Sequence, residues 1–249
     1  MSIEATRKGF EASFAEGSFY NRQTMDTEHR EKIISVLSVE SGMRILDLGC
    51  GSGYLTFAIA KTNEDVYVTG LDIVTNTLIE NEKQAKQEGI GNIEFVSYEG
   101  QEFPFEDESF DMVVTRYALH HFPFIRESIR EVARILKPHG RFFISDPRPN
   151  DCDTSRFVDE YMQLKKDGHI KFYTKDEWIE ICGECGMNIV SSFDSTIRFP
   201  KKKSTAEGFD DVISRHDPEI IKSYDLSTTD EEIWVTEQVN NIMFQKKLI

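Results

Sequence analysis

Residues 45–55 read ILDLGCGSGYL, and this stretch decides the fold that the sequence predicts. A short apolar run ends there in three glycines that alternate with a cysteine and a serine, and a second apolar run follows at 54–60. A strand, a turn and a helix in this order present backbone N–H groups and the positive end of the helix dipole to a ligand. Because glycine has no side chain, Gly49, Gly51 and Gly53 would let a ligand lie directly against the backbone.

The same alternation of strand and helix continues from residue 43 to residue 146. Helical periodicity in VTNTLIENEKQAKQEG ends at Gly89, and the run IRESIREVARILKPHG has apolar residues at helical spacing. Short connections between apolar strands and helices are typical of a doubly wound α/β domain with a mostly parallel sheet. Ligands of such sheets bind at the carboxyl ends of the strands. The segments that we interpret as strands are MRILDL, VYVTGLD, NIEFVSYE, FDMVVTRY and GRFFISD.

After residue 146 the pattern changes to two helical segments, TSRFVDEYMQLKKDG and TKDEWIEICGECG, and two late strands, NIVSSFD and NNIMFQKK. We therefore predict a single Rossmann-like domain over residues 1–249, with about seven strands and a late antiparallel edge strand. It divides into an N-terminal helical part (1–40), a core (41–147) and a C-terminal part (148–249) with a helical insertion at about 205–226.

The charge balance bears on the partners of the chain. A formal net charge of −15 argues against a nucleic-acid backbone as the main partner, because phosphates are neutralised by clustered Lys and Arg. The basic run PKKKS is interpreted as a solvated loop. No apolar run approaches the roughly 20 residues that span a bilayer, and residues 1–14 lack the apolar core of a signal peptide. We expect a cytoplasmic protein that acts on small molecules, although an acidic enzyme acting on proteins stays open.

The four cysteines are too few for a disulfide framework. Cys182 and Cys185, in CGEC, have the spacing of metal ligands, but no second such pair accompanies them. We interpret them as ordinary thiols on a helix rather than as a zinc or redox site.

The residues around the glycine loop narrow the choice of ligand. Loops of this kind bind dinucleotides, nucleotide phosphates and S-adenosylmethionine, but the dinucleotide pattern G-x-G-x-x-G would need a glycine where Tyr54 stands. Asp47, just before the loop, would repel a pyrophosphate and would suit the amino group of a methionine. Asp72, about 20 residues on, is placed to accept both ribose hydroxyls, a feature shared with NAD proteins. Its alternative role is that of a helix N-cap.

The downstream stretch SYEGQEFPFEDESFD decides between these ligands. With it, residues 44–146, about two-fifths of the chain, resemble class I S-adenosylmethionine-dependent methyltransferases. The resemblance is strongest to the small-molecule branch that includes enzymes of ubiquinone and menaquinone biosynthesis. Two departures are Glu99, where Asp is usual, and Gly100, where Ala is usual; both are compatible with adenine binding. The matching segments are DLGCGSG (47–53), Asp72, FPF (103–105), SFD (109–111) and LHHF (119–122).

The resemblance implies a role for each matched position. Asp72 would bind the ribose, Ile73 would pack on adenine, and Glu99 with the residue after it would read the adenine edge. Either Thr115 or Arg116 would offer a carbonyl to the methionine ammonium. The Arg116 guanidinium would also meet the cofactor carboxylate, unless it is a surface arginine. The full implied set is Tyr20, Asp47, Gly49, Cys50, Gly51, Gly53, Asp72, Ile73, Glu99, Gly100, Gln101, Thr115 and Arg116.

Methyl transfer asks the protein mainly to position the acceptor and to exclude water. His120 and His121 follow the fourth strand near the expected methyl position, and either would serve as a general base if the acceptor loses a proton, or would be a packing histidine. His169 is interpreted as a loop residue, with an acceptor-pocket role as the alternative. In similar methyltransferases the N-terminal region covers the cofactor as a lid, and Tyr20 is our candidate contact; simple helix packing is the alternative.

The sequence therefore predicts an S-adenosylmethionine-dependent methyltransferase that transfers a methyl group to an O, N or C atom of a small-molecule acceptor. Two alternatives stay open, an NAD-dependent dehydrogenase and a non-catalytic S-adenosylmethionine-binding protein. The acceptor, the oligomeric state and the role of the C-terminal insertion are not specified by the residues.

Overall fold

The computed structural model describes residues 3–15, 26–165 and 168–248. The strands are β1 Arg44–Leu48, β2 Tyr67–Asp72, β3 Ile93–Ser97, β4 Phe110–Arg116, β5 Leu136–Arg148, β6 Met187–Lys202, β7 Ser227–Thr228 and β8 Glu232–Lys246. The helices are α1 Ile3–Ala15, α2 Thr27–Leu37, α3 Tyr54–Ala60, α4 Thr75–Glu88, α5 Ile125–Ile135, α6 Phe157–Gln163, α7 Lys175–Glu184, α8 Phe209–Arg215 and α9 Pro218–Ser223. Within these ranges no helix is both long and apolar enough to cross a membrane.

The strands form one sheet in the order β3-β2-β1-β4-β5-β8-β6, with the short β7 paired to β8. Strands β1 to β5 are parallel, and β8 is antiparallel to both β5 and β6. The predicted Rossmann-like, mostly parallel sheet is confirmed. The antiparallel strand β8 lies one position inside the sheet, because β6 forms the edge beyond it.

Helices cover both faces of the sheet. Successive side chains of a strand point to opposite faces, so Ile45 packs in the core below α2 and α3, whereas Leu46 packs in the core below α5 and α7. Cys182 of the CGEC segment is fully buried in this second core beside Trp178, which supports its interpretation as a packing residue. A third apolar cluster joins α6, α8 and α9 to the carboxyl end of β6 and the amino end of β8.

The helix expected in the run IRESIREVARILKPHG is α5, which ends at Ile135, and β5 begins at Leu136, which pairs with Phe110 of β4. Pro138 is unfavourable in a helix interior and disfavours helical geometry at the residue before it, so the helix does not continue through this stretch.

Thr174 begins α7 with a capping box. Its hydroxyl accepts a hydrogen bond from the Glu177 N–H at 3.2 Å, and the Glu177 carboxylate accepts one from the Thr174 N–H at 2.8 Å. We expect Thr174→Ala to lower the free energy of unfolding by about 1 kcal/mol, because two N–H groups lose or loosen their partners. Urea unfolding measures the change, and Glu177→Gln, which keeps an oxygen acceptor, is the matched control and should cost less. An unchanged midpoint for Thr174→Ala would contradict a stabilising cap.

Candidate active site

A pocket of about 920 Å³, including its open mouth, lies at the carboxyl ends of β1, β2 and β4. This is the edge of the sheet at which the sequence places the ligand. The predicted site residues that line it are Gly49, Cys50, Gly51, Asp72, Ile73, Gly100, Arg116 and His121. Further lining residues, which the sequence did not single out as site residues, are Ile3, Thr6, Phe10, Ser52, Tyr54, Tyr98, Tyr117, Ala118, Phe122 and Pro123.

The glycine loop is held close to neighbouring backbone. The N–H of Gly49 donates to the carbonyl oxygen of Leu71 at 2.8 Å, which ties the loop to the end of β2. Gly49 has a φ of +70°, and a Cβ at this position would lie 2.6 Å from the Cβ of Ala118. A side chain is therefore excluded both by backbone conformation and by the segment after β4. Gly53 has a different reason: its Cβ would meet the Phe57 ring at 2.7 Å, and Gly53 is not among the pocket-lining residues.

Asp72 connects the glycine loop to the start of α4. Its Oδ2 accepts a hydrogen bond from the Gly51 N–H and its Oδ1 accepts one from the Val74 N–H, both at 2.9 Å. Burial raises the pKa of this carboxyl, and the two N–H donors partly oppose that rise. The N-cap residue of α4 is Val74, so the N-cap alternative for Asp72 is wrong. The carboxylate instead fixes the loop while it lines the pocket.

Asp47 lies behind the glycine loop and is not among the pocket-lining residues. Its Oδ2 accepts hydrogen bonds from the Thr56 N–H at 3.0 Å and the Thr56 hydroxyl at 2.6 Å. The side chain is buried at the base of α3, and burial raises its pKa to about 6 despite these two donors. This carboxyl therefore binds the first turn of α3 and supports the glycine loop from the side away from the pocket.

The raised pKa of Asp47 makes a testable contribution to stability. The folded protein holds this proton more tightly than the unfolded chain, so the stabilisation is complete below about pH 4 and is lost as the pH rises through about 6. Relative to Asp47→Asn, we expect the wild-type free energy of unfolding to fall by up to about 3 kcal/mol between pH 4 and pH 7. Urea unfolding across this range tests it, with the exposed Asp65→Asn as control; a difference that does not vary with pH would contradict it.

Helix α1 covers the pocket from outside. Ile3, Thr6 and Phe10 line it, and a Cβ on Gly100 would lie 2.7 Å from Ile3 Cγ2. The Glu99 side chain is 90% exposed and pairs with Arg7 of α1 at 2.9 Å, so it points away from the pocket.

Gln101, another predicted cofactor contact, is exposed and is not among the pocket-lining residues. The candidate lid contact Tyr20 lies outside the described residues.

At the end of β4, Arg116 lies between two aromatic rings. Its guanidinium carbon is 4.6 Å from the Tyr54 ring centroid and 4.0 Å from that of Tyr117. Tyr117 has a φ of +54°, an uncommon conformation for an aromatic residue, which places consecutive side chains on the pocket wall. Thr115 is buried and is not a lining residue. Arg116 is therefore a pocket residue rather than a surface arginine.

The two histidines after β4 have different surroundings. His121 lines the pocket, and the Phe10 ring packs edge-on against it with centroids 4.7 Å apart. His120 lies behind it, with Nδ1 2.9 Å from Asp146 Oδ1. Burial raises the pKa of Asp146 to about 8.

His169 lies on the loop after α6, and its side chain is buried. Its Nε2 lies 2.9 Å from Asp159 Oδ1, and its ring centroid is 5.4 Å from that of His120 and 6.2 Å from that of His121. The loop after α6 thus completes a buried histidine cluster beside the pocket. Its 48-residue separation from His121 along the chain gave no sequence signal for this contact.

The comparisons with known proteins agree with this geometry. A family model described as a methyltransferase domain matches residues 39–186, more than half of the chain. The uncharacterized methyltransferase YcgJ of Bacillus subtilis is 33% identical over 136 residues, which cover 54% of this chain and 53% of that protein, so the match spans about half of its length. The crystal structure of YcgJ has a TM-score of 0.76 at 23% identity and covers 90% of this chain and 100% of that one.

Two further proteins extend the comparison. Demethylmenaquinone methyltransferase of Listeria welshimeri is 27% identical over 189 residues, 74% of this chain and 75% of that protein. Phosphoethanolamine N-methyltransferase 2 of Haemonchus contortus, solved with phosphomonomethylethanolamine and S-adenosylhomocysteine, shares the fold with a TM-score of 0.63 at 18% identity, over 89% of this chain and 53% of that one. The predicted cofactor, S-adenosylmethionine, is confirmed, and the chain belongs to the S-adenosylmethionine-dependent methyltransferase family.

Proposed function

We propose that the chain transfers the methyl group of S-adenosylmethionine to an O, N or C atom of a small-molecule acceptor by in-line displacement. The observation that carries the proposal is one pocket lined by the bare glycine loop, the Asp72 carboxylate and the His121 ring. The first two suit the cofactor, and the third places an imidazole, a side chain that can act as a general base, in the same pocket. Positioning and water exclusion are then the main catalytic devices.

The cofactor contacts follow from the free capacity of these groups. A carboxylate has about four lone-pair sites, and Asp72 accepts from the Gly51 and Val74 N–H groups, with the Ile73 N–H as a further backbone donor. The remaining acceptor capacity is available to the ribose. Ile73 offers an apolar side chain to adenine, and Arg116 offers a charged fork to the methionine carboxylate.

Of the two adjacent histidines, we assign the direct role to His121 and a positioning role to His120. Only His121 is among the pocket-lining residues, whereas the His120 ring is directed to Asp146. The rings of the two histidines lie 4.1 Å apart, so the pair of His120 and Asp146 limits the positions open to His121. An acceptor that loses a proton would transfer it to His121.

The acceptor side of the pocket favours an apolar, ring-containing molecule. Phe10, Tyr117, Phe122 and Pro123 line the same pocket as His121, and the Phe10 ring packs edge-on against the His121 ring. The similarity to a protein named demethylmenaquinone methyltransferase supports a quinol as the first acceptor to test. The net charge of −15 gives no support to a nucleic-acid acceptor.

The test is transfer of radiolabel from methyl-labelled S-adenosylmethionine to a panel of quinols, phenols and amines, beginning with 1,4-naphthoquinol. We expect a labelled product with at least one ring-containing member. Binding of S-adenosylhomocysteine by calorimetry without any labelled product would favour the non-catalytic alternative. Binding of NAD in place of S-adenosylhomocysteine would favour the dehydrogenase.

A further inference from the structure

The first turn of α2 contacts both tyrosines that enclose Arg116. The Tyr54 hydroxyl donates to the backbone carbonyl of Asp26 at 2.6 Å, and Asp26 caps α2 by accepting from the His29 N–H at 2.9 Å. The Tyr117 hydroxyl lies 3.5 Å from His29 Nδ1, and their rings stack with centroids 6.1 Å apart and an interplanar angle of 23°. Residues 26–29 therefore hold both of the tyrosine side chains that pack against the Arg116 guanidinium.

His29 is itself fixed by a buried network from three strands. Its Nε2 lies 2.9 Å from Asn241 Oδ1, which also accepts from the Ser145 hydroxyl at 2.9 Å, and Asn241 Nδ2 donates to Ser195 Oγ at 2.9 Å. Because Asn241 Oδ1 accepts, Nε2 carries the hydrogen and Nδ1 is left as the acceptor for Tyr117. Burial lowers the pKa of His29, which favours this neutral form.

The two tyrosine rings restrict the Arg116 side chain, because its guanidinium carbon lies 4.6 Å from the Tyr54 ring centroid and 4.0 Å from that of Tyr117. Tyr117 also needs support of its own, since a φ of +54° costs an aromatic residue energy that the surrounding contacts must offset. His29 supplies that support from α2.

We infer that His29 is a positioning residue that acts through Tyr117 to hold Arg116 where its guanidinium pairs with the carboxylate at the methionine end of the cofactor. The inference rests on the proposed contact between Arg116 and that carboxylate. A free arginine side chain would have to lose its rotamer freedom on binding, and the stacked one has lost it beforehand. His29 is not among the pocket-lining residues, so its effect on the ligand is exerted through Tyr117.

Calorimetry with two ligands tests the inference. S-adenosylhomocysteine carries the carboxylate, and 5′-methylthioadenosine has the same adenosine and thioether without it. We expect His29→Phe, which keeps a ring but loses both nitrogens, to weaken S-adenosylhomocysteine binding about tenfold and to change 5′-methylthioadenosine binding less than about twofold. In an Arg116→Ala background, His29→Phe should have no further effect. Tyr117→Phe, which removes only the hydroxyl, should fall between wild type and His29→Phe.

Ile129→Val is the control, because it shortens a fully buried side chain of α5 in the core on the other face of the sheet, which includes neither Tyr54 nor Tyr117. Equal weakening of both ligands by His29→Phe, or additive losses with Arg116→Ala, would overturn the inference. If Arg116→Ala leaves S-adenosylhomocysteine affinity unchanged, the positioning role also fails while the methyltransferase proposal stands. If the wild-type protein binds neither ligand, the proposed function itself fails.

Discussion

Replacing Asp72 with alanine is expected to weaken S-adenosylhomocysteine binding at least about a hundredfold. The substitution removes the acceptor for the Gly51 and Val74 N–H groups, so the loop and the start of α4 lose their common anchor. It also removes the proposed ribose contact. Each charge-assisted hydrogen bond contributes roughly 1.5–3 kcal/mol, so the loss of two or more accounts for the size of the effect. Calorimetry measures the affinity, and circular dichroism confirms that the variant is folded.

Two further variants separate anchoring from general destabilisation. Asp72→Asn keeps one carbonyl oxygen and should retain part of the affinity, whereas the exposed Asp65→Ala should bind as the wild type does. A folded Asp72→Ala protein with wild-type affinity would show that the loop needs neither the anchor nor the ribose contact. The proposed cofactor geometry would then have to be abandoned.

The parallel sheet formed by strands β1 to β5 was predictable because each element is encoded locally. Apolar strands alternate with helices over short connections, and this pattern permits few arrangements other than a doubly wound sheet. The position of β8 inside the sheet was not predictable from the same reasoning. Its insertion between β5 and β6 is a long-range pairing, Phe142 with Phe244 and Ile189 with Phe244, that no local pattern specifies.

The candidate site shows the same difference between locally encoded residues and residues placed by long-range contacts. The glycine loop, Asp72 and Ile73 lie in or just after adjacent strands, so their convergence on one pocket follows from the parallel sheet. Residues that act on the pocket from distant elements left no signal in their own segments. His29 is an example: it does not line the pocket, and its proposed role depends on Asn241, 212 positions away, and on the conformation of Tyr117.

Asp47 and Glu99 show a second reason why sequence reasoning reached only part of the site. Both acids occupy positions where a ligand contact is expected, but burial and pairing decide where each side chain points. Asp47 is bound by Thr56 of α3, and Glu99 is paired with Arg7 of α1. A pattern of residue types identifies which backbone lies at the ligand, whereas the direction of a charged side chain depends on partners that the pattern does not contain.

His121→Ala is expected to lower kcat for the acceptor found in the labelling assay about a hundredfold or more, while S-adenosylhomocysteine affinity changes less than about twofold. The reason is that His121 lines the pocket and, in the proposed mechanism, takes up the proton that the acceptor loses. The wild-type dependence of kcat on pH should show an ionisation that the variant lacks.

His120→Ala tests the division of roles between the neighbouring histidines. This side chain is directed to Asp146, so its removal should lower kcat less than His121→Ala does, and should leave the ionisation in the pH profile present but shifted. The exposed His139→Asn serves as the control for histidine removal. A larger loss with His120→Ala, or an unaltered pH profile in His121→Ala, would transfer the proton-accepting role away from His121. Positioning and water exclusion alone would then have to account for catalysis, as they do when the acceptor arrives already ionised.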